Sequence, residues 1–415
     1  MIDNTKCSHK KSIIRAAAAA LIALYVLAGF SGTSYADYNK DEAMGFYRDL
    51  KMDELTGCYA TADTASGQII MTGEDGDKHV VVGNLVKLMT LLIAFEKIDS
   101  GAIALDTTFP VSQHAQDVSK GKVRVYLDSG KKETIRVEQA IEAICINGAQ
   151  DAACALAEFL GGTETQFVAM MNTRAAELGL KNTLFTDSTG IDAEQYSCAN
   201  DIARIMSELV GKHPDVLSYL NLTYGLFQHD STGQPNTEMV SSNPLNRRKF
   251  YDGSDGSMTG YSTEDKYSIA CTAAQDERRV VSVVLGEENE NLRIAKVRKL
   301  AEYSLANFEY KMLCKYGTFV KKVDIKDGKY KKIKTETAGD FYVLLNTKDS
   351  GNVKTAIELT TELKAPIEEG VSCGYVVYYL DDEEIGRVEL ITAESMPRAN
   401  WFVRLVRWFL ALFGL

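Results

Sequence analysis

Apolar residues recur at helical spacing from Val86 to Ile98 and again from Val137 to Leu160, where Gly148 marks a turn or break inside the second run. Thr163 followed by Gln166 has the form of a capping box for a helix running to about Leu178, with Gly179 closing it. Asn200 or Asp201 opens a further predicted helix to Val210. Tyr267 to Ala274 and Arg279 to Gly286 are apolar, β-branched runs split by the polar Gln275 to Arg278, which predicts a hairpin. Leu292 to Tyr310 returns to a long amphipathic helical pattern. From Thr318 to Glu394 the pattern shortens to alternating segments around Val320 to Ile325, Phe341 to Leu345, Val371 to Leu380 and Ile385 to Ile391, with turns at Asp327-Gly328 and Ser350-Gly351. The pattern predicts an α/β (α+β) domain over 57–312 followed by a small all-β domain over 313–396.

The two ends differ from this body. Lys6, Lys10, Lys11 and Arg15 precede an apolar stretch from Ala16 to Phe30 and small residues ending Ser34-Tyr35-Ala36, the three-part pattern of a secretory signal over 1–36. Its 15 apolar residues fall short of the roughly 20 that span a bilayer, so cleavage after Ala36 is expected. Residues 37–56 form an N-terminal segment. At the other end, 397–415 reads as an amphipathic helix: Asn400, Arg404, Arg407, Ala411 and Gly414 make one stripe, and both Trp residues of the chain stand outside it. Such a helix over 400–415 is about 24 Å long, suited to lying in the headgroup layer rather than crossing it. The expectation is an exported protein held by this helix on the outer face of the cytoplasmic membrane.

Composition narrows the chemistry. With 415 residues, 45% hydrophobic and 25% charged, the chain suits two or three globular domains and excludes disorder. Its net charge is -11, and residues 37–396 alone carry 39 basic against 56 acidic side chains, which argues against a nucleic-acid partner. Eight Cys without a Cys-x-x-Cys pair, and five His without a His-Glu-x-x-His, lead us to expect no metal and no cofactor. Cys145 and Cys154 sit in apolar runs and read as buried small hydrophobes. Loss of Cys7 with the signal leaves seven, an odd number that weakens any fully paired disulfide framework.

Three short segments carry the candidate chemistry: Asn84-Leu85-Val86-Lys87-Leu88-Met89-Thr90, Gly148-Ala149-Gln150-Asp151-Ala152-Ala153, and Met258-Thr259-Gly260-Tyr261 preceded by Asp255-Gly256. With Ala-Leu-Ala-Glu at 155–158, Asn172, Ala175 and Ala176 before Leu178-Gly179, and Asp187 before Gly190, the chain resembles the low-molecular-mass penicillin-binding proteins. These are serine D-alanyl-D-alanine carboxypeptidases that trim peptidoglycan stem peptides. The resemblance implies a DD-peptidase/β-lactamase-like domain of antiparallel sheet and helices, then a β-rich domain and a membrane-anchoring helix. In that family the site is built from Ser-x-x-Lys at a helix start, Ser-x-Asn on a loop and Lys-Thr-Gly on an edge strand.

At the motif positions themselves the sequence departs. Asn84 stands at the nucleophile position, Gly148 and Gln150 in the second motif, and Met258 in place of the third motif's Lys; Lys87, Thr259 and Gly260 are kept. A carboxamide offers no ionisable hydroxyl, so no acyl-enzyme can form there, and loss of a nucleophile alone removes about six orders of magnitude in turnover. Thr90, one turn past Lys87, has a packing role by its place and is not a substitute. Lys87 then reads as an ammonium hydrogen-bonded to Asn84 and Gln150, and Met258 makes the cleft less positive and more apolar. The kept Thr259-Gly260 lets a peptide backbone approach an edge strand. The expectation is a non-catalytic homologue that binds a stem peptide weakly, or a protein partner whose nature the sequence leaves open, in place of the active carboxypeptidase that the resemblance alone implies.

Overall fold

The computed structural model describes residues 39–411 apart from Lys249, 349–350 and Thr361; the predicted secretory signal and Cys7 lie outside the described residues. Helix α1 (Lys40–Asp49), capped by Asn39, precedes strands β1 (Cys58–Asp63) and β2 (Ile69–Thr72). The helical half follows, with α2 (Lys87–Asp99), α3 (Gln113–Val118), α4 (Val137–Asn147), α5 (Gln150–Gly161), α6 (Glu164–Glu177), α7 (Ala199–Lys212) and the short α8 (Leu217–Leu220) and α9 (Pro244–Arg248). Two small hairpins interrupt it, β3 (Thr108–Pro110) with β4 (Thr134–Arg136), and β5 (Tyr224–Phe227) with β6 (Thr237–Val240). Strands β7 (Ser254–Ser262), β8 (Lys266–Gln275) and β9 (Arg278–Glu287) then complete an antiparallel sheet in the order β2-β1-β9-β8-β7, which leaves β7 as an edge.

Both faces of this sheet are covered, so β8 and β9 read as nearly continuous apolar runs. Val281, Val283 and Leu285 point into the helical half, whereas Val280 and Val284 face α1 and α10 (Glu290–Asn307). On α10 the residues Ile294, Val297, Leu300, Ala301 and Leu305 form the buried stripe, and each of the larger ones contributes roughly 1.5–3 kcal/mol by leaving water.

The β-rich part starts earlier than the pattern predicted. Helix α10 ends at Asn307, and Phe308–Cys314 is strand β10: Phe308, Tyr310 and Met312 alternate along it, and it pairs with β13 (Phe341–Asn346). Strands β11 (Phe319–Asp324), β12 (Lys332–Thr337), β14 (Lys354–Leu359), β15 (Ser372–Leu380) and β16 (Glu383–Thr392) make a second antiparallel sheet, ordered β11-β12-β16-β15-β14. Val343 and Leu345 of β13 share one core with Ile333, Val376 and Leu390 of that sheet.

Other boundaries shift for local reasons. The long apolar run from Val137 is two helices, α4 and α5, separated where Gly148 turns left-handed at φ 69°. Thr163 caps α6 through its Oγ1, which accepts from the Gln166 N–H. Helix α7 begins at Ala199, not at Asn200 or Asp201, because the Cys198 thiol accepts the Asp201 N–H and is the cap; the Asp201 carboxylate accepts instead from Asn182 and Thr183. The seven described cysteines are all unpaired, and Cys145 and Cys154 are buried in the main core.

The last described element is helix α11 (Trp401–Ala411), on which Trp401, Phe402, Leu405, Val406 and Phe409 are exposed. Among the described residues no helix is long and apolar enough to cross a membrane.

Candidate active site

A single turn of 3-10 helix, Gly83–Val86, delivers Asn84 to the start of α2, whose first residue is Lys87. Lys87 is fully buried and its Nζ donates to Asn84 Oδ1 (2.7 Å), to Gln150 Oε1 (2.8 Å) and to the Thr189 carbonyl. Gln150 Nε2 donates to the same Asn84 Oδ1 at 3.1 Å, so the lysine and the two carboxamides close a triangle. Three acceptors match the three N–H donors of an ammonium. Burial pushes the Lys87 pKa down to about 7, opposed by the negative charge of Asp187. That same Asp187 accepts from the backbone N–H groups of Thr189, Gly190, Ile191 and Asp192, which fixes the turn presenting the Thr189 carbonyl.

Gly148 ends α4 opposite Asn84. A Cβ there would stand 2.8 Å from Asn84 Nδ2, so the absence of a side chain at 148 and the extra length of the one at 84 fit each other. On edge strand β7, Met258 is buried in the main core, and Thr259 and Gly260 follow it. A Cβ on Gly260 would lie 2.1 Å from the Val82 carbonyl, so the glycine brings β7 against the turn that carries Asn84. Asn84, Lys87, Gly148, Met258, Thr259 and Gly260 line one cavity of about 160 Å³, and Gln150 stands behind it in contact with Asn84 and Lys87.

Three comparisons with known proteins bear on this arrangement. The family model for D-alanyl-D-alanine carboxypeptidase matches residues 53–289, and that for the C-terminal domain of penicillin-binding protein 5 matches 308–398. The chain belongs to the D-alanyl-D-alanine carboxypeptidase family. It is 32% identical over 340 residues to the D-alanyl-D-alanine carboxypeptidase DacF of Bacillus subtilis, covering 81% of this chain and 85% of that one. It is 27% identical over 363 residues to DacD of Escherichia coli, covering 85% and 90%. Among solved structures, penicillin-binding protein 5 from Haemophilus influenzae shares the fold with a TM-score of 0.69 at 24% identity, covering 84% of this chain and all of that one.

No hydroxyl or thiol lining the cavity hydrogen-bonds to Lys87 among the described residues. Ser257 Oγ donates to Asn246 Oδ1 and accepts from Asn243 Nδ2, each at 2.8 Å. Thr90 Oγ1 donates to the Ser188 carbonyl at 3.3 Å. Burial pushes the Cys145 thiol far above its ordinary pKa.

The sequence reading missed the cavity's second cation. Arg293, on α10, is buried and lines the cavity; its guanidinium donates to the Ser268 carbonyl and pairs with Glu290, each at 2.9 Å. Their spacing of three on a helix was a legible ion-pair signal, but only the fold turns the pair toward β7. The fold also gathers His114, Cys154 and Glu158, with ligand-type atoms within 4.8 Å of one another, although no metal motif links them in sequence. In that group His114 is hydrogen-bonded to Glu164 at 2.6 Å and Glu158 accepts from Ser112 at 2.5 Å.

Proposed function

We propose that this family member is non-catalytic and serves as a binding module of the cell envelope, holding a peptidoglycan stem peptide weakly, or a protein partner, along the β7 edge. The observation that carries the reading is the hydrogen bond from Lys87 Nζ to Asn84 Oδ1. In the family chemistry the lysine takes a proton from a serine hydroxyl at that place; here its partner is an acceptor with no proton on the bonded atom and no nucleophilic oxygen to release. Gly148, Gln150 and Met258 remove the relay hydroxyl, exchange its companion amide and delete a positive charge, while the Glu290 carboxylate offsets that of Arg293.

Binding without cleavage is supported by the sheet. An edge strand offers main-chain N–H and C=O groups to an extended peptide, and the half-buried Thr259 stands beside the cavity on that edge, whereas Gly260 is taken up by its contact with Val82. The cavity, at about 160 Å³, is small beside the roughly 300–1,000 Å³ of pockets that enclose drug-sized ligands, which favours a peptide lying across it. In this reading the secretory signal predicted from the sequence and the exposed apolar face of α11 put the module outside the cytoplasmic membrane and on its surface.

The test is to give the purified protein a stem peptide ending in D-alanyl-D-alanine and to follow heat of binding and free D-alanine together. Weak binding with no D-alanine above the blank is expected. Multiple-turnover release would show an active carboxypeptidase trimming stem peptides and sink the reading.

A further inference from the structure

The acidic average of the chain conceals one segment of opposite sign. Residues 315–334 carry eight Lys against two Asp, in a protein whose net charge is -11. They fold as the β11–β12 hairpin, with Val323 and Ile333 turned into the core and the lysines outward. Lys322 and Lys334 face each other across the strand pair, and Lys329, Lys331 and Lys332 stand exposed at the turn beside Tyr330. Like charges directly opposite in a sheet are destabilising. Lysine on the edge strand β11 is accounted for as protection against edge pairing. That does not account for the three exposed lysines of the turn and the inner strand β12: Lys331, Lys332 opposite Asp324, and Lys334, whose Nζ lies 4.0 Å from Glu394.

The hairpin turn is fastened to the start of α11. The Lys329 N–H donates to the Pro397 carbonyl (2.9 Å), the Ala399 N–H donates to the Asp327 carbonyl (2.8 Å), and the Arg398 guanidinium lies 3.6 Å from the Asp327 carboxylate. Two residues beyond Ala399 come the exposed Trp401 and Phe402. One end of the molecule thus carries a lysine hairpin bonded to the root of an exposed aromatic and aliphatic helix face, a pairing suited to phosphate headgroups above an acyl layer.

We propose that the β11–β12 hairpin is a second membrane contact, docking on anionic phospholipid headgroups beside α11. It rests on the reading that α11 lies on a membrane, and adds to it a charge-selective contact made by the folded domain itself.

The exported chain from residue 37 is tested by flotation with vesicles of phosphatidylcholine alone and with about one third phosphatidylglycerol. At roughly fivefold per lysine near an anionic surface, Lys331→Gln, Lys332→Gln and Lys334→Gln together should weaken binding to the anionic vesicles on the order of 100-fold and flatten its salt dependence. Binding to neutral vesicles should not change. Leu405→Asp with Phe409→Asp should weaken binding to both kinds of vesicle; if it does not, the α11 reading fails while the hairpin effect still stands on its own. Unchanged anionic binding by the triple variant overturns the proposal. So does a soluble polyanion, such as heparin, that binds the hairpin while anionic vesicles gain nothing over neutral ones.

Discussion

Gly148→Ser would restore the hydroxyl found in the family's second motif, yet in this chain it should weaken the fold. The residue sits at φ 69°, where a side chain costs about 1–2 kcal/mol over glycine. Its Cβ would also stand 2.8 Å from Asn84 Nδ2. That amide is not free to swing, since the Oδ1 on the same group accepts from Lys87 and Gln150, and yielding gives up a charge-assisted bond of about 1.5–3 kcal/mol. The single substitution should therefore destabilise by roughly 3–4 kcal/mol, summing the backbone and hydrogen-bond contributions. In an Asn84→Ser background the obstruction is gone and only the backbone contribution remains, so the two changes should couple by about 2 kcal/mol. The assay is a double-mutant cycle in urea, comparing midpoints where the denaturant slope is unchanged. Effects that add to within about 0.5 kcal/mol would refute the claim that the two positions share one space.

Lys87 makes stability depend on pH. With a folded pKa of about 7 against an ordinary 10.5, the unfolded chain binds more protons between those values, so stability should rise from about pH 7 toward pH 10. Below pH 7 the penalty of burying the charge is complete, and Lys87→Met should abolish the slope; urea midpoints at several pH values check this. Thiol titration is a second test: Cys314 is half-buried and should react with Ellman's reagent in the native protein. The other described cysteines should react only on unfolding, as burial also pushes Cys58 up to about 11; a thiol silent until reductant is added would reveal a disulfide.

What could be read from the chain was local or motif-bound. The α2 helix, the Thr163 cap, the β8–β9 hairpin and the break at Gly148 are each specified by residues within one or two turns, and they match the structure. The helical pattern predicted from Leu292 overruns the first three residues of β10, because the alternation of Phe308 and Tyr310 makes sense only once β13 lies beside them. Strands β12 and β14 carry too few apolar residues to announce themselves: β12 buries Ile333 with two threonines, Thr335 and Thr337, and β14 is exposed except at the half-buried Ile357. The Cys198 cap went unseen because a thiol is a weak acceptor and an uncommon cap. At the candidate site, motif spacing located Asn84, Lys87 and Gly148 from the sequence. The fit of Gly148 to Asn84, and the Arg293–Glu290 pair aimed at β7, belong to the tertiary structure alone. The lysine hairpin was in plain sight and was averaged away by the net charge.

Asn84 leaves no group on which an acyl-enzyme can form, and intact-mass spectrometry after incubation with a penicillin reads this out. An unmodified mass is expected at neutral pH and equally at about pH 9, where Lys87 is neutral but still has no hydroxyl to act on. The combined variant Asn84→Ser, Gly148→Ser, Gln150→Asn and Met258→Lys should gain the adduct under the same conditions. A stoichiometric penicilloyl adduct on the unaltered chain, mapped to a residue lining the cavity, would contradict the non-catalytic reading.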